Sequence, residues 1–200
     1  MFIDKEGNVR RPVAYLAGFE MFMPDGFGIG EKHKAICEKY GIIGLYPTDP
    51  IPDDGLQEYV PKDDSLHEFE KKIMTQDVNH VRRSDMIIAN LNDFRRGQEP
   101  DSGTCFECGA AFACGKRLYC FIDDARPMID RFTGEKHKSG GIWVDKDGNA
   151  IEDFDLPLNL MFSVPFTVVQ GTFEDAVKRA RADFDEELVA AGYSPFEIKE

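Results

Sequence analysis

Two acidic side chains, Asp77 and Glu107, occupy sequence surroundings in which a carboxyl group can do chemistry. Glu107 lies in the stretch Asp101–Ala113, which is rich in small residues and connects two apolar runs. Small residues let a helix lie close to a sheet. A carboxylate near the start of such a helix points toward the carboxyl edge of the strands, where open α/β sheets bind ligands. The helix dipole favours the ionised form, so Glu107 is a candidate nucleophile.

A purely structural role explains the same glutamate. Thr104 and Glu107 have the Thr-x-x-Glu spacing of a capping box, in which the two side chains bond backbone N–H groups at the start of a helix. The local pattern therefore leaves two interpretations open for Glu107, a helix cap and a catalytic group.

Asp77 falls on the apolar stripe of a helix that is predicted to begin after Ser65, where Ser65 and Glu68 have capping-box spacing. The members of the stripe follow one another at intervals of three and then four residues: Leu66, Phe69, Ile73, Asp77 and Val81. A carboxyl group that faces inward is costly to ionise, and burial raises its pKa. Asp77 is thus either a structural residue bonded by backbone donors or a general acid.

Alternating strands and helices position these residues. Apolar runs without polar alternation predict buried strands: Pro12–Gly18, Ile42–Tyr46, Met86–Leu91, Arg117–Ile122 and Thr167–Val169. Helices are predicted between them, and the last begins near Thr172 with the apolar face Phe173, Ala176, Val177, Ala180, Phe184 and Leu188. This order predicts an α/β fold with a five-stranded parallel sheet and helices on both faces, within one domain over residues 1–200.

Residues 125–155 break this pattern and are predicted to be an insertion, which is a candidate lid. Ile142–Val144 and Ala150–Ile151 flank Asp147-Gly148, a pair typical of a hairpin turn. The loop after the first strand, Phe19–Gly28, carries large apolar residues without period. These side chains either line a pocket for a planar ligand or tuck under the domain. Gly26-x-Gly28-x-Gly30 lacks the spacing and position of a nucleotide-binding fingerprint.

Composition excludes several classes of function. The net charge of −13 argues against a protein that binds nucleic acid through phosphates. The five cysteines are odd in number and clustered, which favours reduced thiols in the cytoplasm over disulfides. Cys105-x-x-Cys108 has no second pair at zinc spacing and the four histidines show no ligand spacing, so neither metal nor cofactor is expected. No apolar run has the length of a membrane span, and no secretory signal is predicted.

Four fragments in order resemble the nucleoside 2-deoxyribosyltransferase family. The first is Tyr15-Leu16-Ala17-Gly18-Phe19, with Phe22 and Pro24-Asp25 behind it, and the second is Asp77 in a helix that precedes a strand. The third is Asp101-x-Gly103-Thr104-x-Phe106-Glu107-x-Gly109-x-Ala111, and the fourth is Pro157-Leu158-Asn159-Leu160-Met161. The resemblance covers most of residues 12–161 and omits the insertion and the last helix.

The resemblance implies a flavodoxin-like sheet, a role in nucleotide salvage and transfer of 2-deoxyribose between nucleobases. Glu107 matches the glutamate that forms a covalent glycosyl-enzyme, Asp77 the aspartate associated with protonating the leaving base, and Asp101 an aspartate that positions the sugar or catalytic groups. The matched residues of the nucleoside pocket are Tyr15, Gly18 and Phe19, with Asn159 and Met161 contributed by a neighbouring subunit. A homo-oligomer with a shared site, acting on a 2′-deoxynucleoside and a free base, is therefore expected.

Two other functions stay open. A deoxynucleoside 5′-monophosphate N-glycosidase would use a similar glutamate, but it needs cationic or hydroxyl donors near the first-strand loop. That loop is acidic and apolar, and Arg95 and Arg96 are the nearby cations. A non-catalytic nucleotide-ligand sensor would keep the aromatic pocket without needing the three carboxylates Asp77, Asp101 and Glu107. Their presence together favours an enzyme.

Overall fold

A computed structural model of the chain describes residues 8–51, 53, 56–60, 67–95 and 99–195. The elements in chain order are β1 (Val13–Ala17), α1 (Gly26–Lys39), β2 (Ile43–Leu45), α2 (Glu68–Arg83), β3 (Met86–Asn90), α3 (Ser102–Ala113), β4 (Arg117–Ile122), α4 (Met128–Arg131), β5 (Lys136–Ser139), β6 (Ile142–Asp145), α5 (Leu160–Ser163), β7 (Thr167–Gln170) and α6 (Phe173–Ala190). Within these residues, none of the helices is long and apolar enough to cross a membrane.

Five strands form a parallel sheet in the order β2-β1-β3-β4-β7, which confirms the predicted architecture. Tyr15 on β1 lies opposite Leu45 on one side and Ile87 on the other. The chain winds from β1 to one neighbour and then crosses to β3 on the opposite side. The carboxyl ends of β1 and β3 therefore flank the point where the winding reverses, the usual ligand position in such sheets.

Helices cover both faces of the sheet and form two apolar cores. One core joins residues of β1, β3 and β4 to the inward faces of α1 and α6, where Phe173, Ala176, Val177, Ala180, Phe184 and Leu188 are all buried. The other core packs α2 and α3 against the opposite face through Val81, Cys108 and Ala111. Burial of both faces explains why the strands are apolar without alternation.

The first two helices differ from the prediction at their starts. The loop expected over residues 19–28 is instead a 3-10 helix, Phe19–Phe22, followed by the first turn of α1 from Gly26. Gly26 is buried, and a Cβ there would lie 2.7 Å from the Glu20 carbonyl oxygen, so close backbone packing explains why a glycine starts the helix. The predicted cap Ser65 and the stripe residue Leu66 lie outside the described residues, and α2 begins after His67.

The insertion contains a hairpin whose main pairing the sequence did not reveal. β6 pairs antiparallel with β5 through the turn Gly140-Gly141, rather than mainly with the residues that follow it. The predicted turn also forms, because Gly148 N–H donates to the Asp145 carbonyl at 3.1 Å and Val144 bridges Ala150. The sequence did not predict strand β5 because its residues, Lys136-His137-Lys138-Ser139, are polar, and an exposed strand carries little apolar pattern.

Candidate active site

Glu107 and Tyr15 are in direct contact beside the carboxyl edge of the sheet. Tyr15 is fully buried on β1, and its hydroxyl donates a hydrogen bond to Glu107 Oε1 at 2.6 Å. Strand β1 positions Tyr15, and helix α3 places Glu107 within hydrogen-bonding distance of its hydroxyl. The hydroxyl of a buried tyrosine needs a partner, and a carboxylate oxygen is a strong acceptor.

Asp101, not Thr104, caps helix α3. Asp101 Oδ2 accepts hydrogen bonds from the backbone N–H of Thr104 at 3.0 Å and from its hydroxyl at 3.2 Å. The helix therefore begins at Ser102, and Glu107 lies in its second turn, beyond reach of the cap. The capping-box interpretation of Thr104 and Glu107 is wrong, because the Asp101 carboxylate caps the helix and accepts the hydrogen bond from the Thr104 N–H. Glu107 is left free for another role.

A cavity of about 640 Å³ opens over the two candidate carboxyl groups. Asp77, Asp101 and Glu107 lie along it, and most of the remaining wall is apolar or small: Gly18, Met21, Phe22, Phe27, Pro47, Thr48, Phe69, Lys72, Ile73, Gln76, Gly103 and Thr104. An apolar cavity with a few converging polar groups is typical of a small-molecule site. Its volume suits a ligand of nucleoside size.

Asp77 is half-buried on α2 and lines the same cavity as Glu107. Burial raises the pKa of Asp77 to about 6, although the nearby Tyr15 hydroxyl opposes the shift. Among the described residues its buried Oδ1 atom has no hydrogen-bond partner. A buried carboxyl oxygen without a hydrogen-bond partner disfavours the charged form, and Asp77 also lines the cavity, so both observations favour the general-acid interpretation over the structural one.

Burial also raises the pKa of Glu107, to about 8, and the charges of Asp77 and Asp101 add to the shift. The hydrogen bond from Tyr15 acts in the opposite direction. The expectation that the helix end keeps Glu107 anionic is not met, because burial of this carboxyl and its acidic neighbours raise its pKa above neutrality. Because neutral pH lies between these two pKa values, Asp77 and Glu107 together hold one proton there.

Gly18 lies at the cavity, whereas Phe19 lies away from it. Gly18 lines the wall, and a Cβ there would come within 2.0 Å of Glu20 Oε2 and 2.9 Å of Asn90 Cβ, so no larger residue fits. Phe19 stacks instead on Phe94, with ring centroids 4.8 Å apart. The 3-10 turn explains this outcome, since it directs Phe19 toward the loop after β3 and leaves other aromatic residues at the cavity.

Asn159 and Met161 do not line the cavity of their own chain. Asn159 caps α5 by accepting a hydrogen bond from the Met161 N–H at 2.9 Å. Helix α5 lies on the side of α3 formed by Cys105, Gly109 and Phe112, away from Glu107. Met161 is 69% exposed.

Several cavity residues carried a weaker sequence signal. Phe69 and Ile73 were predicted to pack inward, but they are 73% and 47% exposed and form a wall of the cavity. The helical stripe identified the correct face of α2 but not what it faces. Lys72 and Gln76 had no signal. Gln76 joins α2 to the loop after β2, because its Nε2 donates to the Asp49 carbonyl at 2.8 Å.

Comparison with known proteins agrees with this geometry. The family model described as nucleoside 2-deoxyribosyltransferase matches residues 14–161, which include Tyr15, Asp77 and Glu107. The chain belongs to this family. The family consists of enzymes that transfer or hydrolyse glycosyl groups and act on nucleosides and nucleobases.

Two relatives illustrate the similarity. The solved 2-desoxiribosyltransferase from Leishmania mexicana is 32% identical, with a TM-score of 0.63 over 84% of this chain and 95% of that one. An uncharacterized protein of Schizosaccharomyces pombe is 30% identical over 133 residues, which are 65% of this chain. The chain spans about 59% of the length of that yeast relative.

Removing the Tyr15 hydroxyl is expected to shift the pH dependence of any reaction that needs ionised Glu107. The hydroxyl lowers the pKa of Glu107, so Tyr15→Phe raises that pKa further and Glu107 ionises only at higher pH. We expect activity at pH 7 to fall about 10- to 100-fold, as for loss of a hydrogen bond to a charged group. The acid limb of the kcat/KM profile should move to higher pH.

Tyr119→Phe is the matched control. Tyr119 also lies on a central strand and donates its hydroxyl to a carboxylate, Asp183, at 3.0 Å, but outside the cavity. Its pH–rate profile should match that of the wild type. A Tyr15→Phe profile that coincides with the Tyr119→Phe profile contradicts the role given to Tyr15.

Glu107→Gln is expected to stabilise the fold at alkaline pH. The pKa of Glu107 rises from 4.5 to about 8 on folding, so the folded chain keeps a proton that the unfolded chain releases. Stability therefore falls as pH rises between these values. The variant should melt a few degrees above the wild type at pH 8 and level with it below pH 4.5. Thermal unfolding measures this difference, and Glu186→Gln, an exposed site on α6, is the control.

Proposed function

We propose that the chain is a nucleoside 2-deoxyribosyltransferase that moves 2-deoxyribose between nucleobases through a covalent glycosyl-enzyme on Glu107. The observation that carries the proposal is the hydrogen bond from the buried Tyr15 hydroxyl to Glu107, with Asp77 lining the same apolar cavity. Retaining cleavage of a glycosidic bond needs a nucleophile and an acid, and these two carboxyl groups supply both.

In the first half-reaction, an ionised Glu107 oxygen attacks C1′ of the sugar. A new C1′–O bond forms, the C1′–N bond to the base breaks, and the base leaves with that electron pair. In the free protein, the higher pKa of Glu107 keeps the single proton of the carboxyl pair on Glu107 near neutral pH. The attack requires this proton to lie on Asp77, from which it passes to the departing base. Tyr15 supports this arrangement because its hydrogen bond favours the ionised form of Glu107. Asp77 lines the same cavity as Glu107 and is therefore the proposed proton donor.

The second half-reaction runs in reverse. A nitrogen of the incoming base attacks C1′, Glu107 leaves as a carboxylate, and the proton lost by the base returns to Asp77. Water in place of the base would give hydrolysis. The apolar cavity wall, including Phe22, Phe27 and Phe69, limits water at the glycosyl-enzyme and so favours transfer.

The proposal includes a homo-oligomer with shared sites. Phe112 on α3 is 60% exposed, and Met161 and Val164, which line the same apolar groove, are 69% and 73% exposed. A contiguous apolar surface of this kind marks a protein interface. Association of a second copy there would cover these residues. It would also bring Asn159 and Met161 of one chain toward the cavity of the other, which they do not reach within their own chain.

A 5′-monophosphate N-glycosidase is the second candidate, and one observation favours it. Lys72 lines the cavity and offers a cation for a phosphate. Glu20 opposes it, because its buried carboxylate lies behind Gly18 and bonds Asn90 Nδ2 at 2.7 Å. Arg95 stacks over the rings of Phe22 and Phe94, and Arg96 lies outside the described residues. The acidic surroundings favour an uncharged 5′-hydroxyl.

Incubation with a 2′-deoxynucleoside, with and without a second free base, tests the proposal. Formation of a new nucleoside, measured by product chromatography, is the expected result. Release of free base alone would identify a hydrolase. Activity that requires the 5′-monophosphate would establish the second candidate, and absence of any product from either substrate would support a sensor.

A further inference from the structure

Glu152 connects the insertion to the segment that begins with Asn159. Its Oε1 atom accepts a hydrogen bond from Asn159 Nδ2, and its Oε2 atom accepts one from the Leu160 N–H at 3.0 Å. Glu152 is half-buried and belongs to the segment 125–155, outside the fragments that resemble the family. Glu152 has no role in the two half-reactions proposed for Glu107 and Asp77.

These contacts fix the orientation of the Asn159 amide. Its carbonyl oxygen accepts from the Met161 N–H, and its amide nitrogen donates to Glu152. Both ends of the side chain are therefore held, one by the first turn of α5 and one by the insertion. A carboxylate is a strong acceptor for an amide N–H, so the amide cannot turn over without losing a charge-assisted bond. Within the described part of the chain, the second N–H of the Asn159 amide has no acceptor, so it can donate to a ligand.

The insertion is itself fastened to the core around this point. Met128 N–H donates to the Leu156 carbonyl at 2.8 Å, and the Arg131 guanidinium bonds the Pro157 carbonyl. Arg131 also lies 3.7 Å from Asp93 in the loop after β3. These contacts hold the end of the insertion that carries Glu152 in place. A side chain on a rigidly held segment can position its neighbour within the small tolerance that a binding site needs.

We propose that Glu152 is a positioning residue that orients Asn159 for the sugar site of a neighbouring subunit. The inference rests on the proposed shared site, in which Asn159 of one chain meets the deoxynucleoside bound over Glu107 of the other. Glu152 itself touches no substrate. Its effect reaches the other chain because Asn159 and α5 lie on the opposite side of α3 from their own Glu107.

The first test compares Glu152→Ala with Glu152→Gln. The alanine variant frees the Asn159 amide, so we expect KM for the deoxynucleoside to rise about 10-fold with a smaller change in kcat. Glutamine keeps one acceptor oxygen at the same distance from the backbone and should recover part of the loss. Asp153→Ala, an exposed carboxylate beside it, should leave both constants unchanged. Equal KM values in the wild type and Glu152→Ala would overturn the proposal.

The second test uses mixed oligomers, because a merely structural residue would not act across subunits. Chains with Glu152→Ala and chains with Glu107→Ala are co-expressed with different tags, and assemblies that carry both tags are isolated. In such an assembly, the Glu107 of the first chain meets an Asn159 whose Glu152 is intact. At substrate well below KM, we expect activity to return to about half that of the wild type per chain.

Activity per chain at or below the level of Glu152→Ala would show that Glu152 acts within its own chain and would overturn the proposal. Failure to obtain any assembly with both tags would overturn it also, since the inference needs two chains. These results differ from a failure of the proposed function, in which the wild-type chain itself forms neither a new nucleoside nor a free base.

Discussion

Replacing Glu107 by glutamine is expected to abolish base exchange while leaving the fold intact. The amide has nearly the shape of the carboxyl group and can still meet the Tyr15 hydroxyl, but its oxygen is a weak nucleophile toward C1′. Loss of a covalent nucleophile costs several orders of magnitude, so we expect exchange to fall by at least about 10⁴-fold. Chromatography of the nucleoside products measures the rate.

Two further measurements make this prediction sharp. Mass spectrometry of the wild-type chain after incubation with a deoxynucleoside alone should show a 2-deoxyribosyl adduct, which Glu107→Gln should lack. Glu186→Gln on α6 makes the same chemical change at an exposed site and should keep full activity. Exchange at near the wild-type rate in Glu107→Gln would sink the assignment of the nucleophile.

Asp77→Asn is expected to slow exchange by about 10²- to 10⁴-fold, the usual effect of removing a general acid. Asparagine cannot deliver a proton to the departing base, although it keeps the size of the side chain. The loss should depend on the base, because a base that leaves readily as an anion needs little protonation. A series of deoxynucleosides that differ in the acidity of the free base measures this dependence.

Asp183→Asn is the matched control for Asp77→Asn. Asp183 also accepts a hydrogen bond from a strand tyrosine, Tyr119, but lies on α6 away from the cavity. Asp183→Asn should leave both the rate of exchange and the dependence of that rate on the base unchanged. If Asp77→Asn slows every substrate by the same factor, Asp77 serves binding or structure and another group supplies the proton.

The sheet and much of the site followed from the sequence alone. Continuous apolar runs determined the five parallel strands, because a strand covered on both faces carries no polar alternation. The inward face of α6 was equally clear, since a regular apolar stripe meets a core directly. The spacing of Asp77 on its stripe also placed it on the correct face of α2, where it meets the cavity.

Where a side chain points within a turn was decided only by the tertiary structure. Phe19 was expected in the pocket, yet the 3-10 turn after β1 stacks it on Phe94. Phe69 and Ile73 were expected in the core, yet they face the cavity. An apolar residue gives the same local signal in both settings, because the sequence does not say whether the facing surface is protein or open space.

Helix α3 shows the same division most clearly. The spacing Thr104-x-x-Glu107 left two roles open for the glutamate, a helix cap and a catalytic group. The structure resolves this because Asp101 occupies the cap, which leaves Glu107 to meet Tyr15 from a distant strand. The protonation of Glu107 was also beyond the sequence. Its raised pKa results from burial and from Asp77 and Asp101, which only the folded chain brings together.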